Sequence, residues 1–248
     1  MKLAGIKIGD LAGKRVLVTG GSTGIGAEVA LGLAQQGARV VVHYNASKQD
    51  AEQLRAMSPD RIQLVQGDLE LPDAAAFIVN QAAEILGGLD GLINNAGAML
   101  GRIPTTEASM DHFDRVVSLN ARSVWQASIS AHRHLKAAGG GFIINTTSIA
   151  ARNGGGNGAA LYGAAKSFVS NLTRGAGQGI CGGQNPRQRG FAGADSDRFP
   201  RPRYARPPVR GAVRGNSNAA GGSSGRMRWR FSFPRIRGFI WIHHRPDN

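Results

Sequence analysis

A glycine-rich segment directly after an apolar stretch constrains the fold of this chain more than any other feature. Arg15 to Thr19 is predicted as a buried strand, and Thr19-Gly20-Gly21-Ser22-Thr23-Gly24-Ile25-Gly26 leads from it into a helical pattern over about Gly24 to Gln36. Glycines let a backbone turn tightly, and the free N–H groups at the start of a helix can hold the charge of a pyrophosphate. Strand, turn and helix in this order favour a dinucleotide site over an ordinary connection. The residues of this predicted site are Gly20, Ser22, Thr23, Gly24, Ile25 and Gly26.

Short apolar segments alternate with longer helical patterns through the first 172 residues. This order is typical of βαβ units, and strands without polar alternation are expected where helices cover both faces of a parallel sheet. The sequence therefore predicts an α/β fold with a doubly wound, Rossmann-like sheet. The predicted strands are Arg15–Thr19, Arg39–His43, Ile62–Gln66, Gly91–Asn94 and Gly141–Thr147; the predicted helices are about Gly24–Gln36, Lys48–Met57, Pro72–Leu86, Asp111–Ala138 and Leu161–Arg174.

Charge separates the end of the chain from the rest. The chain has 30 Lys and Arg against 16 Asp and Glu, a net charge of +14, yet residues 1–172 are nearly neutral. Residues 173–248 contain 15 Arg, no Lys and three Asp.

Cys181 is the only cysteine, which excludes a disulfide scaffold, and the six histidines have no metal-ligand spacing. No segment reaches the roughly 18 apolar residues of a membrane span, so we expect a soluble cytoplasmic protein without a metal.

Further motifs follow the glycine-rich turn. Asn94-Asn95-Ala96-Gly97 ends the fourth predicted strand, Asp68 follows the third, and Asn120 lies in Ser118-Leu119-Asn120-Ala121. Ser148 follows the fifth strand, and Tyr162-Gly163-Ala164-Ala165-Lys166 begins 14 residues later. Together with the Thr-Gly-x-x-x-Gly-x-Gly spacing, these motifs resemble those of the short-chain dehydrogenase/reductase family, in particular its 3-oxoacyl-ACP-reductase-like members.

The resemblance implies further cofactor contacts. In the family, the Asn-Asn-Ala-Gly turn supports the sheet and borders the cofactor, which implies contacts from Asn95, Ala96 and Gly97. Asp68, with Leu69 beside it, matches the position next to the adenine ring, although an Asp after a strand is also an ordinary turn residue.

The resemblance also implies hydride transfer between NAD(P)(H) and a carbonyl or secondary alcohol, with Asn120, Ser148, Tyr162 and Lys166 as catalytic residues. Tyr162 and Lys166 lie four residues apart, so a helix places both on one face. A phenol titrates near pH ~10, and a neighbouring ammonium moves its pKa toward the working range. The resemblance also implies that Tyr162 and Lys166 contact the cofactor, the lysine by a bond to the nicotinamide ribose. In the family, Asn120 matches a helix-interrupting residue of a water-linked proton relay, and Ser148 holds the substrate oxygen. Taken singly, each has a simpler structural interpretation as a surface pair, a strand-end hydrogen-bonder or a cap.

The end of the second strand bears on which cofactor is used. An acidic residue there would bind the ribose hydroxyl of NAD, but His43-Tyr44-Asn45-Ala46-Ser47-Lys48 contains no carboxylate to repel a 2′-phosphate. Tyr44 and Asn45 are predicted cofactor contacts, and Lys48 could contact the phosphate. This favours NADP and leaves NAD open.

The match to the family pattern ends at about Arg174, which predicts a dinucleotide-binding and catalytic region over residues 1–174 and an irregular or disordered tail over 175–248. Codons for Asn185 to Gly193, read one base later, permit Ile-Arg-Val-Asn-Ala-Val-Ser-Pro-Gly, the family's sixth strand and Pro-Gly turn. A frameshift near Gly175 explains this, and it predicts impaired or absent activity and an exposed edge on the fifth strand. The alternative is a basic arm that binds nucleic acid through Arg203 to Arg237.

The family also implies a homodimer or homotetramer, because the helix of Asp111–Ala138 and the Tyr-bearing helix often pair between subunits. Trp125 on the first of these helices is otherwise predicted to be a core or helix-packing residue.

Overall fold

Five parallel strands form the centre of the molecule in a computed structural model, which describes residues 9–180 and 239–244. Their order is β3-β2-β1-β4-β5, so the chain crosses from one side of β1 to the other between β3 and β4. Val18 pairs with Val42 on one side and Ile93 on the other. This parallel order confirms the predicted Rossmann-like class. Ligands of such sheets bind where the strand order reverses. The strands are β1 (Arg15–Val18), β2 (Arg39–Tyr44), β3 (Ile62–Gln66), β4 (Gly91–Asn94) and β5 (Gly141–Thr146).

Helices cover both faces of the sheet. On one face, Leu17 and Leu92 belong to a core with Ile78 and Ala131; on the other, Val16 and its neighbours pack with residues of the first two helices. Burial on both faces explains the lack of polar alternation in β1 and β4. The helices are α1 (Gly24–Gln35), α2 (Lys48–Ala56), α3 (Ala74–Leu86), α4 (Met110–Val117), α5 (Ser123–Ala137), α6 (Ala150–Asn153) and α7 (Ala160–Ile180). No helix in the described part of the chain is long and apolar enough to cross a membrane.

The helix predicted over Asp111–Ala138 is divided into α4 and α5 by a π-helical turn, Ser118–Arg122. The buried Asn120 amide donates to the carbonyl of Val116 at 2.9 Å and to that of Ala98 at 2.8 Å. The side chain thus bonds a carbonyl that a regular helix would pair with a backbone N–H. A single-residue widening of this kind is frequent at functional sites.

The Tyr-bearing helix continues beyond its predicted end at about Arg174, and α7 runs to Ile180. The glycines after Arg174 predict an earlier end of the helix, because each interior glycine costs about 1 kcal/mol relative to alanine. The buried Val169 and Thr173 anchor the preceding turns, and extending an existing helix is far easier than starting one.

The tail supplies a sixth strand, so the prediction of an exposed β5 edge is wrong. β6 (Phe239–His244) pairs antiparallel with β5, with Thr146 opposite Phe239 and Gly141 opposite His244. Its β-branched and aromatic residues favour a strand, and the pairing satisfies the edge of β5. The rest of the predicted disordered tail lies outside the described residues.

Candidate active site

The glycine-rich turn brings the start of α1 against the end of β1. Gly20 and Gly24 have φ angles of +57° and +56°, in the left-handed region that favours glycine. A Cβ on Gly26 would lie 2.3 Å from the carbonyl oxygen of Gly20 and 2.5 Å from the amide nitrogen of Asn95. Only glycine allows this approach, and the backbone N–H groups at the start of α1 remain at the carboxyl edge of the sheet.

The Asn94–Gly97 turn at the end of β4 is hydrogen-bonded to the glycine-rich turn. The Asn95 side-chain amide donates to the carbonyls of Thr19 and Gly20 at 3.2 and 2.9 Å. The Thr19 hydroxyl accepts the N–H groups of Asn95 and Ala96 at 3.0 and 3.1 Å. Asn95 and Ala96 therefore shape the turn, and Thr19 is a further member of the site that sequence reasoning did not single out.

The ends of β2 and β3 form the next part of the site. Tyr44 is buried, whereas Asn45 and Lys48 are exposed, Lys48 at the start of α2. The Asp68 carboxylate accepts the N–H of Glu70 at 2.9 Å, so it also has the turn role that was the simpler interpretation. The Leu69 side chain is only 4% exposed and belongs to the core.

Lys166 is the largest fully buried side chain among the described residues, at 2% exposure. Its ammonium donates to the carbonyl of Thr146 at 3.2 Å, at the end of β5, and lies 5.7 Å from the centre of the Tyr162 ring. Burial lowers the pKa of Lys166 to about 8, because the charged form loses its hydration. The structure therefore brings Tyr162 and Lys166 together on α7.

Asn120 and Lys166 face a common small space beside Gly97. The Asn120 side chain has no exposure, and its Oδ1 has no hydrogen-bond partner. A Cβ on Gly97 would lie 2.7 Å from that Oδ1 and 2.8 Å from the Lys166 Nζ. A buried acceptor and a buried cation thus converge on one point, where a glycine keeps the room open.

Ser148 follows β5 on the segment that leads into α6 and α7. The side chain is half-buried, and its hydroxyl oxygen accepts the N–H of Ala150 at 3.2 Å. The hydroxyl hydrogen remains available to another acceptor. Arg102, which sequence reasoning missed, donates to the carbonyl of Asn157 at 2.9 Å and so ties the β4–α4 connection to the segment between Ser148 and Tyr162.

The alternative nucleic-acid arm, Arg203 to Arg237, lies outside the described residues. The described part of the chain places the predicted residues of the dinucleotide site and of the catalytic site at the carboxyl ends of β1 to β5 or in the connections and helices that follow them.

Comparisons with known proteins agree with this arrangement. The sequence model of the short chain dehydrogenases matches residues 14–180, more than half of the chain. Versicolorin reductase stcU of Emericella nidulans is 39% identical over 134 residues, which cover 52% of this chain and 50% of that protein. A hydroxynaphthalene reductase-like protein of Metarhizium guizhouense is 34% identical over 66% of this chain and 62% of its own. The chain thus spans half to three fifths of these curated relatives.

Solved structures show the same fold. An NADH-dependent reductase in complex with NAD superposes with a TM-score of 0.66 at 34% identity, covering 69% of this chain and 75% of that one. A short chain dehydrogenase from Burkholderia cenocepacia in complex with NADP gives 0.65 at 37% identity, covering 68% and 69%. From its motifs, its fold and these matches, the chain belongs to the short-chain dehydrogenase/reductase family, whose members are NAD(P)-dependent oxidoreductases.

Proposed function

We propose that this chain binds NADP(H) and that its Ser148, Tyr162 and Lys166 serve hydride exchange between the cofactor and a carbonyl or secondary alcohol. The observation that carries the proposal is the buried Lys166 ammonium, 5.7 Å from the Tyr162 ring and close to the unpaired Oδ1 of Asn120. A buried lysine without a carboxylate partner costs stability, and such a cost is typical of functional sites.

The residues of the glycine-rich turn suit the phosphates of a dinucleotide. The close approach at Gly26 and the free N–H groups at the start of α1 leave a backbone surface for an anion. Gly97 leaves room beside Lys166. Asp68 would lie beside the adenine ring, as the family resemblance implies. When bound, the nicotinamide accepts or supplies the hydride.

The protein's own groups hold the substrate and move the proton. Ser148 would donate its hydroxyl hydrogen to the substrate oxygen and keep it within reach of Tyr162. The Tyr162 hydroxyl would give its proton to that oxygen during reduction and take it back during oxidation. Lys166, as a cation, favours the phenolate that remains. Asn120 Oδ1 would hold a water that restores the proton by way of Lys166.

NADP is favoured over NAD by the charges beside β2. Lys48 is exposed at the start of α2, and no carboxylate lies between residues 43 and 48. A cation there attracts the 2′-phosphate that distinguishes NADP from NAD. The solved relatives include one with NAD and one with NADP, so binding of both to this chain is to be measured side by side.

We expect the chain with this tail to turn over slowly or not at all, because the family match ends at residue 180. The test compares this chain with one translated from the alternative frame after Gly175, by following NADPH absorbance with a panel of ketones. The alternative-frame chain should be active, and Tyr162→Phe in it should lower kcat by about 10²- to 10⁴-fold. Full turnover by Tyr162→Phe would overturn the proposal.

A homodimer through α5 and α7 is part of the proposal. Trp125 and Ile129 on α5, and Phe168 on α7, are 47%, 54% and 47% exposed, so the prediction of Trp125 as a core residue does not hold within one subunit. Large exposed apolar side chains on neighbouring helices favour burial against a second copy. Light scattering should find a dimer or tetramer, and Trp125→Glu should yield monomers; a monomeric parent chain would contradict this.

A further inference from the structure

We propose that His43 is a positioning residue that ties the glycine-rich turn to the end of β3 in its neutral form, and so sets the affinity for the adenosine diphosphate part of the dinucleotide. This inference rests on the proposed dinucleotide site. His43 was absent from the residues predicted as cofactor contacts, and it is the one residue of β2 whose side chain bonds two of the connections that form that site.

The hydrogen bonds of the imidazole allow a single arrangement. Nδ1 lies 3.0 Å from the backbone nitrogen of Gly20, and Nε2 lies 3.0 Å from the carbonyl oxygen of Gly67. Because an N–H can only donate and a carbonyl can only accept, Nδ1 must be bare and Nε2 must carry the proton. The ring is 2% exposed, so water does not substitute for either partner.

The two partners of His43 belong to different parts of the proposed site. Gly20 opens the turn for the phosphates, and its carbonyl is held from the other side by Asn95. Gly67 precedes Asp68 on the adenine side. The main chain repeats the link, since the N–H of Gly21 donates to the His43 carbonyl at 2.9 Å. His43 therefore fixes the distance between the phosphate turn and the adenine side before any ligand binds, which reduces the ordering cost of binding.

The groups around the ring favour the neutral form. β1 and its turn present the Gly20 N–H, the β3 end presents the Gly67 carbonyl and the Asp68 carboxylate, and α3 presents the apolar Ile78 near Gly67. Burial lowers the pKa of His43, and this outweighs the Gly67 bond and the Asp68 charge, which both raise it. Protonation at Nδ1 would set two donors against each other at Gly20, so affinity should fall as the pH falls below the ordinary histidine value of 6.5.

Two substitutions separate the two bonds. His43→Asn keeps an acceptor near the Nδ1 position, whereas His43→Gln reaches toward Gly67 and leaves the buried Gly20 N–H unpaired. NADPH fluorescence measures binding to the full chain. The NADPH dissociation constant should rise about tenfold or more in His43→Gln, and by a smaller factor in His43→Asn. Both variants should lose the weakening that the parent chain shows as the pH falls below 6.5. His134→Gln, which removes a histidine bond to Asn80 between α3 and α5, is the control and should bind as the parent does.

The outcomes distinguish this inference from the proposed function. Parent-like affinity and pH dependence in a folded His43→Gln would overturn the role of His43 and leave the dinucleotide site intact. No NADPH or NADH binding by the parent chain would overturn the dinucleotide site, and with it the effect on affinity. Nitrogen NMR of the parent chain tests the bridge without any variant: at pH 7 the His43 ring should carry its proton on Nε2, and a protonated Nδ1 would contradict the bridge.

Discussion

The two sides of the sheet treat their buried polar groups differently. On the side of β1, β2 and β3, the Gly20 N–H donates to His43 and the Gly20 carbonyl accepts from Asn95. The Thr19 hydroxyl accepts two further backbone N–H groups. On the side of β4 and β5, two buried polar atoms of the described residues, Asn120 Oδ1 and Thr146 Oγ1, have no hydrogen-bond partner, and Lys166 is buried as a cation without a carboxylate. A third such atom, Arg122 Nε, belongs to a guanidinium whose Nη2 donates to the carbonyl of Glu70 after β3, at 2.6 Å.

Cofactor binding and proton transfer therefore require opposite degrees of hydrogen bonding in the free protein. A dinucleotide is bound best by a turn that is already rigid, and full hydrogen bonding gives rigidity. Proton transfer needs groups whose partners arrive with the ligand, and such groups are left unsatisfied in the free protein at a cost in stability.

The largest expected effect is on the binding side. Gly26→Ala places a Cβ 2.3 Å from the Gly20 carbonyl oxygen, so the start of α1 must move away from the turn. We expect NADPH affinity to fall by about 100-fold or more. Gly175→Ala is the matched control, since a Cβ there meets nothing within 4 Å and α7 should become more stable by about 0.5–1 kcal/mol. Equal affinity in the two variants would remove the close approach from the explanation.

The next effect is on the catalytic side, where we expect one substitution to raise stability and abolish turnover. Lys166→Met keeps the side-chain volume and removes a buried charge, so we expect the free energy of unfolding to rise by about 1–3 kcal/mol, and the same change should abolish turnover in the alternative-frame chain. Lys136→Met, at an exposed position of α5, should change it by less than about 0.5 kcal/mol. Denaturant titration measures both, and a destabilised Lys166→Met would show that the lysine is held for structure.

The same lysine gives a pH dependence. Its pKa is about 8 when folded against 10.5 ordinarily, so between these values the unfolded chain holds more protons on this group. Its contribution to stability therefore rises with pH through that window. Denaturant titrations at pH 8 and pH 10 should show this rise in the parent chain and not in Lys166→Met. An identical pH dependence in both chains would contradict burial of the charge.

The smallest effect concerns cofactor choice. Lys48→Ala removes an exposed cation from the start of α2 and should weaken NADPH binding about fivefold, with NADH binding unchanged, because an exposed charge contributes little. Lys136→Met serves again as the control. The ratio of the two dissociation constants is the measurement, and a ratio unaltered by Lys48→Ala would place the choice of cofactor elsewhere.

The local sequence pattern predicts the central strands and most of the helices. The bounds of β3 and β4 agree with the prediction at both ends, because apolar stretches between turn residues are buried strands here. The extension of α7 and the pairing of β6 depend on buried anchors and on a partner strand distant in sequence, which a local pattern does not contain.

In the candidate site, too, contacts between residues close in sequence could be predicted and contacts between distant residues could not. Tyr162 and Lys166 share a helix face, which their spacing alone predicts. The bonds of His43 to Gly20 and Gly67 span 23 and 24 residues, and that of Arg102 to Asn157 spans 55. A polar residue within the apolar β2 was the one signal that could have indicated His43, and it did not name the partners.

The most direct test of the difference between the two sides is calorimetric titration of NADPH into the full chain and into its Tyr162→Phe variant. A complete binding side predicts one saturable site per chain, with dissociation constants equal within about threefold, since the variant lacks only a hydroxyl of the catalytic side. Absence of binding to the parent chain, or loss of binding in Tyr162→Phe, would contradict the claim that the dinucleotide side is complete on its own.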